Sequence, residues 1–181
     1  AASQWEAGPP SSHMSDVTIR RRIAADAAAI AALILPVFRA GDTYAIDPDI
    51  PEAEAVAYWC APEKTVFVAE DAAGRALGTY YMRPNAGGGG RHVCNCGYIT
   101  AEAARGRGVA RAMLHHSLQE ARRRGYHAMQ YNFVVATNLR ALATWEGAGF
   151  RTVGRLPGAF LHPVDGYVDA LVMWMNLADA P

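Results

Sequence analysis

The sequence predicts an α/β (α+β, mixed-sheet) fold: one mixed β-sheet with parallel central strands and flanking helices. Three observations carry that reading. The element order β-α-α-β-β-β-α-β-α-β-β is neither a string of simple βαβ units nor an all-β pattern. Two apolar runs, Val93–Thr100 and Ala128–Val134, are separated by an amphipathic stretch of helical period, which is how a crossover between parallel strands reads. The segment Asp71-Ala72-Ala73-Gly74 between two further apolar runs reads as a hairpin turn.

Taken in order, Val17–Ile23 alternates weakly and reads as a first strand. Asp26 is expected to N-cap an Ala-rich helix running to about Arg39, which Gly41-Asp42-Thr43-Tyr44 breaks. Pro48 and Pro51 frame a loop, and Glu52–Cys60 reads as a second helix. Thr65–Glu70 and Ala76–Arg83 form a hairpin. Asn85–Gly90 is a glycine-rich loop without core potential. Val93–Thr100 is a strand and Val109–Arg124 a helix ended by Gly125. Ala128–Val134 is a strand, Asn138–Ala148 a helix, Phe150–Arg155 a strand. The segment LPGAFLHPVDGY is expected to loop into a last strand, Tyr167–Met175.

Composition bounds what this fold can do. The chain has 181 residues, enough for one domain with a sizeable core. Apolar residues make up 51% and charged residues 19%, a globular rather than a disordered balance. Formal net charge is zero, which removes bulk electrostatics as a case for nucleic-acid or membrane partners. Charge is left in local clusters, Arg20–Arg22 opening a strand and Arg122–Arg124 at a helix C-terminus. Three cysteines, Cys60, Cys94 and Cys96, give no disulfide framework and no zinc spacing, so a cytoplasmic protein without a metal is expected. The Ala-rich stretch Ala27–Leu35 is too short to span a membrane and stops at Pro36. Ser12-His13-Met14 reads as a cloning scar. Residues 1–13 are therefore taken as a tag remnant and 14–181 as one domain.

The chemistry concentrates in Arg105-Gly106-Arg107-Gly108-Val109-Ala110, between a strand and a helix. Such a turn leaves backbone N–H groups unpaired at a helix N-terminus, where the helix dipole favours an anion. The glycines let a ligand come close, and Arg105, Arg107 and Arg111 add charge that forks onto phosphate. No G-K-[ST] follows, and G-x-G-x-x-G is absent, so neither a P-loop nor a dinucleotide fingerprint is present.

This R-x-x-G-x-A order resembles the coenzyme A pyrophosphate loop of the GNAT N-acetyltransferases. Downstream, NLRALATWEGAGF resembles that family's second signature through Asn138, Ala141, Trp145, Gly149 and Phe150. The resemblance covers about Val17–Leu177. It implies acetyl-coenzyme A as co-substrate, contacted by Tyr98, Ile99, Thr100, Arg105, Gly106, Arg107, Gly108, Val109, Ala110, Asn138, Ala141 and Trp145. Many members carry a tyrosine acid at the position of Trp145. An indole N–H is a poor acid, so Trp145 either contacts the cofactor or simply packs.

Acetyl transfer needs a neutral amine, a stabilised carbonyl oxygen and a protonated leaving thiolate. Asn95 and Asn132 each fall mid-strand, where asparagine is disfavoured. A buried amide there costs about 1–3 kcal/mol without partners, so each is either satisfied by backbone or grips a substrate. HVCNCGY, RGRGVA and YNFVVATNLRALATWEGAGFRTVGRLPGAF together resemble the L-azetidine-2-carboxylate acetyltransferases. That resemblance implies Asn95 and Asn132 as catalytic and substrate-binding residues. It also implies a small amine or cyclic imino acid as acceptor and a role in detoxification or self-resistance. Tyr44, in GDTY, is expected to line the substrate pocket or to end a helix. His162 and Asp165 are candidate groups for deprotonating the acceptor, or surface residues. Acetylation of another small amine or antibiotic, a non-catalytic acyl-coenzyme A sensor, and a homodimer remain open.

Overall fold

The structure, a computed structural model, describes residues 16–178. The expected tag remnant, residues 1–13, and Met14 lie outside them. The elements are β1 (Thr18–Arg21), α1 (Ala27–Ala40), α2 (Glu52–Trp59), β2 (Thr65–Glu70), β3 (Ala76–Pro84), β4 (Val93–Thr100), α3 (Val109–Arg123), β5 (Ala128–Val135), α4 (Leu139–Ala148), β6 (Arg151–His162) and β7 (Gly166–Asn176). The strands form one sheet in the order β1-β2-β3-β4-β5-β7-β6. All neighbours are antiparallel except β4 and β5, which are parallel as expected and joined through α3.

The sheet buries both faces. On one face Ile30, Ile34 and Phe38 of α1 and Ala55 and Trp59 of α2 pack on Val66, Val68, Tyr81 and Ile99. On the other, Val109, Met113, Leu114 and Leu118 of α3 pack on Tyr80, Cys94, Cys96, Met129 and Met173. The i, i+4 spacing of the α1 set and of Val109/Met113 and Leu114/Leu118 makes one apolar stripe on each helix, which is what drives its docking. Trp59 is fully buried and its indole N–H donates to Thr79 Oγ1 at 3.1 Å. The Thr79 hydroxyl in turn donates to the Phe67 carbonyl at 2.7 Å, so this polar pair in the core is satisfied.

β4 and β5 pair at only two positions, Val93↔Ala128 and Cys94↔Met129, and then diverge. Beyond Cys94 the β5-facing edge of β4 has no ladder partner, while β3 still pairs its other edge from Gly78↔Thr100 to Pro84↔Cys94. β5 adds to the divergence. Its register against β7 slips between Tyr131↔Met173 and Val134↔Leu171, a bulge that takes in Asn132 and Phe133. The bulge also lets Tyr131 and Val134, three apart, bury on the same core, which strict alternation would forbid.

The first helix runs past Pro36 to Ala40, as the reading to about Arg39 expects. Both Pro36 and Ala32, whose carbonyl loses its helical donor, are exposed, so water can take that carbonyl. Two other expectations need correction. Asp26 occupies the N-cap position of α1 but its side chain makes no cap bond there. Its carboxylate turns back to accept the Ile23 N–H at 2.7 Å and both Nη atoms of Arg20 at 2.9 Å. LPGAFLHPVDGY is mostly strand, because β6 runs on to His162 and closes a hairpin on Gly166. Pro157 is tolerated there because β6 is the sheet edge and its register breaks between Leu156 and Phe160. Arg122 is also more than a solvated cation, since its Nε donates to the Leu177 carbonyl at 2.8 Å.

The Arg20–Asp26 pair gives a stability prediction. Hydrogen bonds from Arg20, with the Ile23 N–H, hold the Asp26 carboxyl below its ordinary range against the opposing effect of burial. Its unfolded value is about 3.9, so its stabilisation is complete above that pH and is lost as the pH falls through the lower folded value. Arg20 is partly exposed and the pair is therefore screened. Asp26→Ala should cost about 1–2 kcal/mol at neutral pH. Urea unfolding of both proteins checks this: the gap in stability should be full at neutral pH and shrink in acid.

Candidate active site

The turn after β4 builds an anion site from backbone alone. Gly106 and Gly108 sit at φ 79° and 78°, left-handed values that only glycine adopts cheaply. The amides of Gly106, Gly108, Val109, Ala110 and Arg111 have no acceptor among the described residues, while that of Ala112 bonds the Gly108 carbonyl at 2.9 Å. These unpaired donors sit at the positive end of α3, a helix of 15 residues. A Cβ on Gly106 or Gly108 would meet nothing within 4 Å, so the space above the turn is open. Arg105, Arg107 and Arg111 are exposed and form no ion pair among the described residues.

The turn opens into a cleft of about 1030 Å³ along the gap between β4 and β5. The structure brings almost all the expected residues to it. Tyr98, Ile99, Thr100, Arg105, Gly106, Gly108, Val109 and Ala110 line it from the β4–α3 side. Asn132, Asn138, Ala141 and Trp145 line it from the β5–α4 side, with Tyr44 and Asn95 toward the α1 face. Arg107 belongs to the turn but not to the lining. Asn138 has a structural task as well. Its Oδ1 accepts the Ala141 N–H at 3.3 Å and caps α4, leaving its amide NH₂ for a ligand.

An aromatic wedge holds the gap apart. The Trp145 ring lies 5.0 Å from both Tyr98 and Tyr131. The Tyr131 hydroxyl donates to that of Tyr98 at 3.0 Å, and Tyr98 and Ser117 share a hydrogen bond of 2.6 Å. Burial pushes both phenols well above their ordinary range, so both stay protonated. Burial likewise raises the Cys96 thiol, a further lining residue, so it is a poor nucleophile at neutral pH. The Tyr44 hydroxyl donates at 2.9 Å to the Tyr98 carbonyl, at the diverging part of β4, which fixes Tyr44 against the cleft wall.

The two asparagines differ. Asn132 is satisfied within the chain: its Nδ2 donates to Asn85 Oδ1 at 2.7 Å and its Oδ1 accepts from Gln130 Nε2 at 2.9 Å. Asn95 is 9% exposed and its amide has no partner among the described residues. It is the first residue of β4 past the last pairing with β5, at the closed end of the gap.

His162 and Asp165 are not brought to the cleft. They sit at the turn of the β6–β7 hairpin, where His162 Nδ1 accepts the N–H groups of Val164 and Asp165 at 3.2 and 3.1 Å.

Sequence reasoning missed several lining residues: Asp42, Tyr81, Arg83, Gly97 and Tyr131. Gly97 is a cross-strand partner of Tyr81, and a Cβ there would fall 2.6 Å from the Tyr81 ring. The missing side chain is what lets that ring lie across β4, edge-on to Trp59 at 4.8 Å. Strand register decides such contacts, and a single sequence does not carry it. Among the described residues no group of three or more His, Cys, Asp and Glu side chains could hold a metal ion, and no helix is long and apolar enough to cross a membrane.

Known proteins share this architecture. The model of the acetyltransferase (GNAT) family matches residues 31–150. N-acetyltransferase aca1 of Schizosaccharomyces pombe is 31% identical over 148 residues, spanning 73% of this chain and 71% of the yeast protein. A GCN5-related N-acetyltransferase from Kribbella flavida superposes with a TM-score of 0.84 at 40% identity, over 89% of this chain and 98% of that one. The fold also matches yncA of Salmonella typhimurium, solved with its cofactor acetyl-CoA, at a TM-score of 0.78 and 23% identity over 90% and 95% of the two chains. A turn of free amides at a helix N-terminus, a gap between parallel strands and relatives of this likeness agree, and the chain belongs to the GNAT family of acetyltransferases.

Proposed function

We propose that this acetyltransferase moves the acetyl group of acetyl-coenzyme A to the nitrogen of a small amino or imino acid, with a cyclic imino acid such as L-azetidine-2-carboxylate as the preferred class. The observation that carries the reading is the pairing of the amide-rich turn at α3 with the partnerless Asn95 at the far end of the same gap. From Thr100 to Asn95 is five residues of strand, about 17 Å at 3.3 Å per residue. That spacing suits a cofactor whose phosphates and thioester are well separated.

The chain's own groups bind and position both reactants. The neutral nitrogen forms the new amide bond as the thioester C–S bond breaks, and the proton lost by that nitrogen passes to the departing thiolate, which leaves as free coenzyme A thiol. The backbone amides of Gly106 and of Gly108 to Arg111 hold pyrophosphate, with the Arg105 and Arg107 side chains nearby. The unpaired edge of β4 offers alternating N–H and C=O groups to an extended amide-bearing arm, as a sheet edge does to an added strand. An N–H of that edge can stabilise the thioester oxygen as it gains charge. Asn95 and Asn132 orient the acceptor so that its neutral nitrogen meets the carbonyl, and misplacement by about 1 Å can cost on the order of 100-fold. Direct attack within a ternary complex is favoured over a covalent route, because the Cys96 thiol is raised by burial and has no histidine–carboxylate partner among the described residues. Detoxification of a proline analogue in the cytoplasm, or self-resistance to one, is the role that fits such an activity.

The cofactor half is checked at Gly108. Gly108→Asp puts a carboxylate where phosphate is held and should raise the acetyl-coenzyme A KM by at least about tenfold. Gly108→Asn bears nearly the same backbone strain without the charge and serves as control. Calorimetry showing equal affinity in both variants would count against the assignment.

For the acceptor half, Asn95→Asp and Asn132→Asp keep the side-chain size but replace donors by negative charge. Each should lower kcat/KM for the imino acid at least about tenfold, a loss of about 1.4 kcal/mol of transition-state stabilisation. Coenzyme A affinity should hardly change. Free-thiol release with a panel of amines, with melting curves alongside, gives the measurement. Wild-type rates in both variants would make the two asparagines structural, and no thiol release with any amine would favour an acyl-coenzyme A sensor.

A further inference from the structure

We propose that Arg83, acting with Asn95, forms the subsite that holds the acceptor's carboxylate. The proposal deepens the acceptor reading above and rests on it. Arg83 and Asn95 are direct cross-strand partners in the β3–β4 ladder. Opposed residues of an antiparallel pair project from the same face with Cβ atoms about 5 Å apart. Both line the cleft.

Arg83 is unusual among the arginines of this chain. Its Nε is buried and has no hydrogen-bond partner. Its side chain makes no hydrogen bond or ion pair among the described residues. A buried donor on a charged group is costly to leave unpaired. Arg83 is only partly buried as a residue, so its two Nη groups can take a carboxylate from the cleft through two parallel hydrogen bonds, and Nε with one Nη can do so once the side chain turns outward. The amide of Asn95, itself without a partner, faces the same space and adds a donor for the carboxylate or an acceptor for the substrate N–H.

Neighbouring charge strengthens the case. Lys64 Nζ lies 3.5 Å from the centre of the Tyr58 ring and 4.3 Å from that of Tyr81, and donates to the Tyr58 carbonyl at 2.6 Å. Burial first, then the charge of Arg83, holds its pKa down at about 8, with Glu63 and Cys60 opposing. Arg83 and Lys64 repel one another and neither has an ion pair among the described residues, so an anion held by Arg83 in the cleft would relieve both. The cofactor's phosphates do not meet this need, since their own donors sit at the other end of β4. A small carboxylate does, and its α-nitrogen then lies one carbon away, beside Asn95 at the closed end of the gap.

The test uses the coenzyme A-saturated enzyme, titrated calorimetrically with L-azetidine-2-carboxylate and with its carboxamide. Thiol release from acetyl-coenzyme A is measured in parallel with both compounds and with amines lacking a carboxylate. Wild-type protein should bind the acid at least about tenfold more tightly than the amide. Arg83→Met should abolish that preference while keeping acetyl-coenzyme A affinity and leaving the amide unaffected. Arg83→Lys, which keeps the charge but not the fork, should recover part of it and guards against misfolding of the methionine variant. Preference for the acid that survives in Arg83→Met, or its absence in wild type, overturns the subsite. Thiol release only with amines that lack a carboxylate overturns it too, while leaving the transferase reading standing. Arg83-dependent binding of the acid without thiol release from any amine upholds the subsite and sinks that reading instead.

Discussion

The parallel pairing of β4 and β5 is the constraint on which the rest of this molecule depends. Two residue pairs hold the strands together, and past Cys94 they separate. An interior strand edge with unpaired N–H and C=O groups is expensive unless something else meets them. The fold meets part of that need with Tyr44, whose hydroxyl reaches the Tyr98 carbonyl, and leaves the rest as the cleft wall. Tyr98, Tyr131 and Trp145 fill the wider part of the gap with rings that keep the strands from collapsing together. The bulge at Asn132 and Phe133 bends β5 away at the level where the cleft begins.

Charge follows the same geometry. The chain is neutral overall, yet the cleft is lined by Arg83, Arg105, Arg111 and Arg140 against one carboxylate, Asp42, among the described residues. Several cations elsewhere are paired: Arg20 with Asp26 and Glu70, Arg123 and Arg124 with Glu120, Arg155 with Asp169. An excess of cations concentrated in the cleft is how a neutral protein still presents an attractive field to anionic ligands. Net charge alone hides this, because it sums over both populations.

Much of this was legible in the sequence, for identifiable reasons. β2, β4 and the starts of α3 and β5 were read to the residue because each is bounded by strong punctuation: a turn at Asp71–Gly74, the glycines at 106 and 108, and Gly125. The turn that leaves amides unpaired at the start of α3 was legible because a glycine-rich turn at a helix start is local in sequence. What failed was non-local. Asp26 reads as a cap until Arg20 is seen to claim its carboxylate. His162 reads as a loop histidine near the acceptor until β6 is seen to extend past a register break and carry it to a hairpin tip. Arg83 carried no signal, because its meaning comes from standing opposite Asn95 in the ladder, and register is settled by the packing of the whole sheet.

The hydrogen bond between Asn132 and Asn85 has a mechanical consequence. Asn85 directly follows β3 and belongs to the half-sheet β1–β4, whereas Asn132 belongs to β5 and the half-sheet β5–β7. The contact therefore bridges the two halves near the end where β4 and β5 still pair, and acts as a strap beside a hinge. Farther along the gap the Tyr131 hydroxyl bonds that of Tyr98, a second bridge between the halves. With two such contacts the halves are held at a set separation along the cleft, so a long flexible ligand meets a preformed gap rather than one it must force open.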